Sequence, residues 1–337
     1  MKKALIVSLL LGTITVGAFA QLTFSGEVHA GVQVQSLYGS RESVTTTHRD
    51  GYDPRFDVTA TVMRENYGAR LDTTFTIGGD GGGMTLNGIY GWVNFGGFFN
   101  NDSLLLTMGH ISTASWVAML HSSVTEFYFD KIKGFRLEYA TPLPGLSVGV
   151  AFRAAGENLE RFGKRAIFGG TYIHPLFSAV FSYDLAVNGR ALLGFNFIGI
   201  PGLTAGLKMR ADNFASWDGN EGPAGIFRAH YIVGYRIMRP LNVYMIVGHT
   251  NHADSETSAT WEITAGVEYR ILSNLLGTFS MTLDNFSGNP NNNLTFNPAL
   301  EMTLRGPAIF YVEYEMRLDN MERINHTFGF GMSIRAF

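Results

Sequence analysis

The chain has 337 residues, no cysteine, 40 glycines, 16% charged residues and a formal net charge of −3. The missing cysteines exclude a disulfide scaffold, and the mild acidity excludes the basic footprint of a nucleic-acid binder. The charged content lies well below the roughly 25% usual in soluble domains, which points away from an ordinary water-soluble globule.

The first element is "MKKALIVSLLLGTITVGAFAQ". Lys2 and Lys3 precede an apolar stretch, Ala4 to Val16, that is too short to span a bilayer stably. Ala18 to Ala20 then supplies the small-x-small pattern of a cleavage site, so residues 1–20 read as a secretory signal peptide and 21–337 as the mature domain. Without Lys2 and Lys3 the net charge falls from −3 to −5. No later run of about 18 apolar residues occurs, so no transmembrane helix is expected.

From Thr23 onward, segments of about ten residues alternate with period two, the signature of strands with one apolar and one polar face. Thr23 to Gln35 sets Phe24, Val28, Ala30, Val32 and Val34 against Glu27, His29, Gln33 and Gln35. Arg55 to Arg64 and Gly68 to Ile77 repeat the pattern. It is clearest at Leu203 to Asp212, Phe227 to Ile237 and Thr260 to Tyr269; the weakest tiles are 84–95, 104–110 and 191–198. Short Pro/Gly connections at 142–145, 174–176, 200–202, 239–241 and 305–307 alternate with longer polar ones at 36–54, 110–127, 213–225, 249–259 and 285–293. Short turns on one side and longer loops on the other suit an antiparallel barrel that crosses a membrane. Proline suits turns because it removes a ladder donor; Pro298 falls inside a predicted strand, where a bulge is expected. The fold class is therefore all-β: a transmembrane, antiparallel, up-and-down β-barrel of about 18 strands in one domain, or 16 or 14 if weak tiles are misread.

In hydrocarbon every backbone N–H and C=O must pair internally, so such a sheet keeps no edge and its last strand must meet Thr23 to Gln35. That strand is "HTFGFGMSIRAF", with Phe328, Phe330 and Met332 on one face and Phe337 one step out of phase. A terminal aromatic here resembles the β-signal of outer-membrane proteins, which implies handling by the barrel insertion machinery. With the signal and the tiling, the whole mature chain resembles a bacterial outer-membrane porin-type β-barrel. The resemblance implies a pore in the outer membrane, often trimeric, so outer-membrane lipid, a homotrimer and small polar solutes are the expected partners.

A lysine or arginine facing mid-bilayer lipid costs about 2–4 kcal/mol, so charged strand residues should face the lumen or a rim. Arg136, Arg153, Arg165, Lys208, Arg210, Arg228 and Arg236 form a predicted basic arc. Glu262, Glu268, Glu301, Glu313, Glu315 and Glu27 form an acidic one. Glu138, Asp184, Arg270, Arg305 and Arg317 break the pattern. Opposed arcs would set a transverse field across a wet pore; arbitrary charges solvating the lumen would account for the same residues. The third long loop, "HISTASWVAMLHSSVTEFYFD" (110–130), is apolar at Trp116, Met119 and Leu120, an odd composition for a water-facing loop. It follows the fifth predicted strand. In the general porins that this resembles, the corresponding loop folds inward, which would turn Glu126 and Asp130 toward the basic arc. A misread strand or a subunit contact is the alternative, and the proline-glutamate-phenylalanine-glycine-glycine sequence of general porins is absent.

"GGDGGG" (78–83) has neither the lysine nor the helix of a phosphate loop and reads as a turn. His249, His252 and Asp254 have a spacing a metal could use, but they fall in a polar connection, and a solvated loop is the preferred reading. His110 and His121 near Ser112, Ser115 and Ser122 are the crude candidates for catalysis, and no catalytic motif surrounds them. The expected function is passive diffusion of small hydrophilic solutes, without enzyme activity, metal or cofactor. A surface adhesin or structural protein with an incidental pore is the alternative, with residues 36–54 as its binding loop. An apolar-solute transporter would need an apolar lumen and usually an N-terminal plug.

Overall fold

The computed structural model describes residues 21–36, 43–47, 54–78, 81–95, 103–111, 132–153, 166–185, 189–213, 225–253, 259–284, 292–304 and 308–336. The predicted signal peptide, residues 112–131, Arg165, Arg305 and Phe337 lie outside them.

The alternating segments form strands β1 (Gln21–Ser36), β2 (Ser43–Thr47), β3 (Arg55–Met63), β4 (Tyr67–Gly78), β5 (Gly81–Asn94), β6 (Ser103–Ile111), β7 (Ile132–Ala140), β8 (Leu146–Arg153), β9 (Ala166–His174) and β10 (Phe177–Asp184). They continue as β11 (Arg190–Phe197), β12 (Leu203–Asp212), β13 (Ile226–Met238), β14 (Leu241–His252), β15 (Thr260–Leu272), β16 (Leu275–Asp284), β17 (Asn293–Thr303), β18 (Ala308–Asp319) and β19 (Arg323–Ala336). Every neighbouring pair is antiparallel, and the weak tiles are realised as β5, β6 and β11. β2 and β3 share one position in the wall. β2 pairs with β1 from Gly31↔Thr47 to Gln35↔Ser43, and β3 takes over from His29↔Arg55 to Gln21↔Met63. Nineteen strands thus fill 18 wall positions.

β19 closes the wall on β1 in an unbroken register from Gly26↔Ala336 to Ser36↔His326. Phe328, Phe330, Met332 and Ile334 therefore stand on the same face as Val34, Val32, Ala30 and Val28. This is the closure that the hydrogen-bonding argument demanded. At the seam Gly331 is required by close approach: a Cβ there would come within 2.5 Å of both the Ala30 carbonyl and the Tyr311 hydroxyl. Tyr311 lies over this glycine from β18 and is only 6% exposed. Gly331→Val should cost about 1–3 kcal/mol through overpacking, read as a lower denaturant midpoint and loss of the folded band in unheated gel electrophoresis.

Two sequence expectations need correction. The first long connection, 36–54, contains β2, and the one predicted to start at 249 starts after β14 has run on to His252. Pro298 makes no bulge. Phe296↔Met316 and Ala299↔Glu313 hold one register across it, and β16 pairs through Phe279↔Pro298. The chain takes up the proline by leaving Asn297 and Pro298 out of the β17–β18 ladder, which avoids a slip that would turn every later side chain to the wrong face.

The two faces of the wall differ in kind. The outer face carries exposed Phe24, Ile89, Met108, Phe181, Tyr231, Met245 and Leu300 in its alternate positions, a surface that suits hydrocarbon better than water. Aromatic pairs lie on it toward the strand ends, such as Phe56 with Phe75, His249 with Trp261, and Tyr172 with Phe177.

Candidate lumen lining

Residues directly opposite in an antiparallel pair share a face, so the registers carry one face around the whole wall. Starting from Lys208↔His230 and Arg210↔Arg228, it passes through Gly248↔Glu262, Glu268↔Thr278, Leu276↔Glu301 and Ala299↔Glu313. It reaches Glu27 by way of Glu315↔Thr327 and Glu27↔Arg335. On the other side it runs through Arg190↔Asp212, Asp184↔Arg190, Gly134↔Arg153 and Thr107↔Arg136. Arg136, Arg153, Lys208, Arg210, Arg228 and Arg236 thus share the inward face with Glu262, Glu268, Glu301, Glu313, Glu315 and Glu27. Arg165, Trp116, Met119, Leu120, Glu126 and Asp130 fall outside the described residues.

The inward charges are unevenly distributed among the described residues. β7 to β13 carry seven lysines and arginines against three carboxylates, Glu138, Asp184 and Asp212. β15 to β19 together with β1 carry eight carboxylates against four arginines. β3 and β4, between them, balance Arg55 and Arg70 with Asp57 and Asp72. The carboxylates within the basic stretch are placed on its arginines. Arg136 meets Glu138 at 3.1 Å, Arg153 meets Asp184 at 2.8 Å, and Asp212 receives Arg190 at 2.5 Å and Arg210 at 2.7 Å. Two residues set aside as exceptions to the arcs, Glu138 and Asp184, are therefore local partners of basic residues. Arg317 is likewise held by Asp319 at 2.6 Å.

A polar network crosses the closure seam. Ser333 donates to Glu27 at 2.6 Å, and His29 Nε2 stands 3.8 Å from Glu27 and 3.5 Å from Asp57. Asp57 takes Arg55 at 3.0 Å and the Thr74 hydroxyl at 2.5 Å, and Asn87 donates to Thr74. Such a connected set restrains side-chain positions along the wall.

Lys208 is different. It is 2% exposed, and its Nζ has no hydrogen-bond partner among the described residues. Its cross-strand neighbours are Gly194 and His230, with Arg210 two residues along. A buried ammonium without a hydrogen-bond partner costs stability. Lys208→Met, of similar shape, should raise stability by about 1–3 kcal/mol, measured as a higher urea midpoint of the refolded protein.

The sequence reading did not anticipate an apolar strip on this inward face. Ile111, Ala151, Ile167, Val180, Leu192, Ile232 and Ile246 form one cluster, each at most 7% exposed, with Tyr90 and Tyr244 packed against it. Its members occupy the same alternate positions as the lumen charges, so the signal was present as apolar residues out of phase with the outer face. Tyr244 lies over Gly266 of the next strand, and Trp92 over Gly68, which leaves room for large rings in a single-layer wall.

The metal reading does not survive the geometry. His249 packs on Trp261 at 4.2 Å on the outer face, while His252 faces inward three residues on, and Asp254 lies outside the described residues. Among the described residues no cluster of histidines and carboxylates could hold a metal ion. His110, paired with Lys133 in the ladder, also occupies the outer face.

No protein-family model matches the chain, and no curated protein matches it. Solved structures do. The anion-selective porin from Comamonas acidovorans is 10% identical and superposes with a TM-score of 0.56 over 94% of this chain and all of that one. OprD from Pseudomonas aeruginosa is 10% identical, with a TM-score of 0.60 over 94% of this chain and 95% of that one. OccD3 (OpdP) from the same organism is 9% identical, with a TM-score of 0.61 over 95% and 92%. At such identities the likeness is one of fold. The chain is built on the architecture of the bacterial outer-membrane porins, a closed antiparallel barrel of 18 wall positions.

Proposed function

We propose that the protein is an outer-membrane channel for the passive diffusion of small hydrophilic solutes. The observation that carries this reading is the closed wall of 18 positions with an apolar outer face and a charged inner one. Eight strands fill a barrel with their own side chains, whereas 16 to 18 leave an aqueous channel. The excess of cations on β7 to β13 faces the excess of carboxylates on β15 to β19 and β1, and the field between them would orient water and polar solutes and sort ions by sign.

The apolar cluster supports a constriction. A single-layer wall around water does not by itself hide isoleucines to 7% exposure or less. Residues 112–131 follow the fifth wall position and leave from Ile111, itself a member of the cluster. Trp116, Met119 and Leu120, outside the described residues, have the apolar chemistry such a cover needs, and Glu126 and Asp130 the charge to oppose a basic arc. The reading extends to cleavage after residue 20, to recognition of Phe328, Phe330, Met332 and Phe337 by the insertion machinery, and to assembly as a homotrimer. The test is swelling of proteoliposomes in sugars of graded size. Uptake that falls steeply with solute size supports the reading, and swelling no faster than in protein-free liposomes defeats it.

A further inference from the structure

The inner face holds many of its arginines against carboxylates. Arg136, Arg153, Arg190, Arg210 and Arg317 each stand within 3.1 Å of one. A recess at the short-turn end of β13 to β16 departs from that habit. Its volume is about 580 Å³, and Arg236, Arg239, Asn242, Glu268 and Arg270 supply its charged and amide groups. The registers set Arg236, Asn242 and Glu268 in one inward row, and Arg270↔Leu276 in the next. Arg239 joins them from the turn between β13 and β14. Neighbouring strands lie about 4.8 Å apart, so Arg236 and Arg270, two strands from one another, border the same hollow.

All three arginines are exposed, and among the described residues none of their guanidinium groups has an ion pair or hydrogen bond. Glu268, the one carboxylate of the recess, is engaged by the Asn242 amide at 3.3 Å and not by an arginine. Their backbone, by contrast, is held. The Arg236 N–H donates to the Gly202 carbonyl at 2.7 Å, and the Arg270 N–H donates to the Pro240 carbonyl at 2.7 Å. Each bond ties a strand end to the short turn beside it, and a frame fixed before a ligand arrives lowers the cost of binding. Three cations against one carboxylate give the recess a positive excess, on a chain of formal net charge −3. Guanidinium groups present planar forks of donors that match phosphate oxygens. The recess also has room beyond a bare phosphate, and Glu268 offers an acceptor to a hydroxyl group beside it.

We infer that this recess binds the phosphoryl group of a small phosphorylated solute, held by Arg236, Arg239 and Arg270. The site lies at the short-turn mouth and is reached from water whether or not the pore conducts. It therefore goes beyond the channel reading and can fail separately from it.

The test is equilibrium dialysis of glucose 6-phosphate against the full mature barrel, refolded in an uncharged detergent at about 0.1 M salt, where charges are screened beyond about 10 Å. Binding should saturate at one solute per chain, and inorganic phosphate should displace it while glucose does not. Arg239→Gln with Arg270→Gln should weaken binding about tenfold or more, as the loss of charged hydrogen bonds to an anion predicts. Arg317→Gln, which removes an inward arginine at the opposite end of the barrel, should leave binding unchanged. Heat-modifiable gel mobility verifies that each variant is folded. Inorganic phosphate that binds as tightly as glucose 6-phosphate would support the site and make the free ion a sufficient ligand; weaker binding would support it with the phosphorylated solute as ligand. Binding that does not saturate, or that glucose displaces, overturns the site. So does an equal loss in Arg317→Gln, which would assign the effect to the charge of the whole lumen.

Discussion

Phe330→Arg is expected to cost about 2–4 kcal/mol or to prevent stable insertion, while Thr327→Arg, three residues away on the same strand, should change stability little. Phe330 lies opposite Val32 of β1 and Val312 of β18, on the outer face of the closing strand. An arginine there must desolvate in hydrocarbon or drag water into the membrane. Thr327 lies opposite Gln35 and Glu315, on the inner face, where a new guanidinium meets water and a carboxylate. Denaturant titration in lipid vesicles, followed by tryptophan fluorescence and heat-modifiable mobility, separates the two variants. Because one residue of slip exchanges the faces of the whole strand, equal costs would contradict the register at the seam and with it the closure of the barrel.

The second large effect is on ion selectivity. Arg210 and Arg228 are directly opposite on β12 and β13, in the most basic part of the inner face. Asp212 takes up part of the charge of Arg210 at 2.7 Å, so replacing both arginines by alanine leaves that carboxylate with Arg190 alone at 2.5 Å. The basic stretch then loses much of its excess, and the reversal potential in a salt gradient should move clearly toward cation preference. Replacing Glu313 and Glu315 by glutamine should move it the other way. Screening gives an internal control. The shift should be large near 0.1 M salt, where the Debye length is about 10 Å, and small at 1 M, where it is about 3 Å. A shift of the same sign from both pairs of substitutions would mean that the opposed arcs do not set the field.

Much of this wall was legible because the physics of a closed membrane sheet is strict. β12, β13 and β15 could be read residue by residue, since each outer position must be apolar and charges are costly anywhere but inside. The short turns announced themselves through Pro142 and Pro144, Pro175, Pro201 and Pro240. β2 was not legible, because Ser43 to Thr47 is nearly all hydroxyl-bearing and has no apolar phase. Its pairing with β1 is decided by β1, which extends past the point where β3 ends. The behaviour of Pro298 was hidden for a related reason. Local sequence marks a missing donor, but the neighbours decide whether the ladder slips or simply skips, and here both flanking registers hold.

For the lumen lining, phase was readable and pairing was not. Period two assigns Lys208, Arg210 and Asp212 to one face, yet only the strand registers bring Arg190 to Asp212 and Arg153 to Asp184. Those contacts join residues of different strands, and they turn a list of charges into a basic excess threaded with its own carboxylates. The apolar cluster from Ile111 to Ile246 was lost to the same cause. Its members are scattered one to a strand over seven strands, and become a patch only when the wall is assembled.

The most direct test of the account is single-channel recording of the refolded mature protein in a planar bilayer. The account predicts discrete, long-lived conductance steps that scale with salt concentration, as expected of a water-filled lumen inside 18 wall positions. A correctly folded, heat-modifiable barrel that inserts and yet passes no current would contradict it.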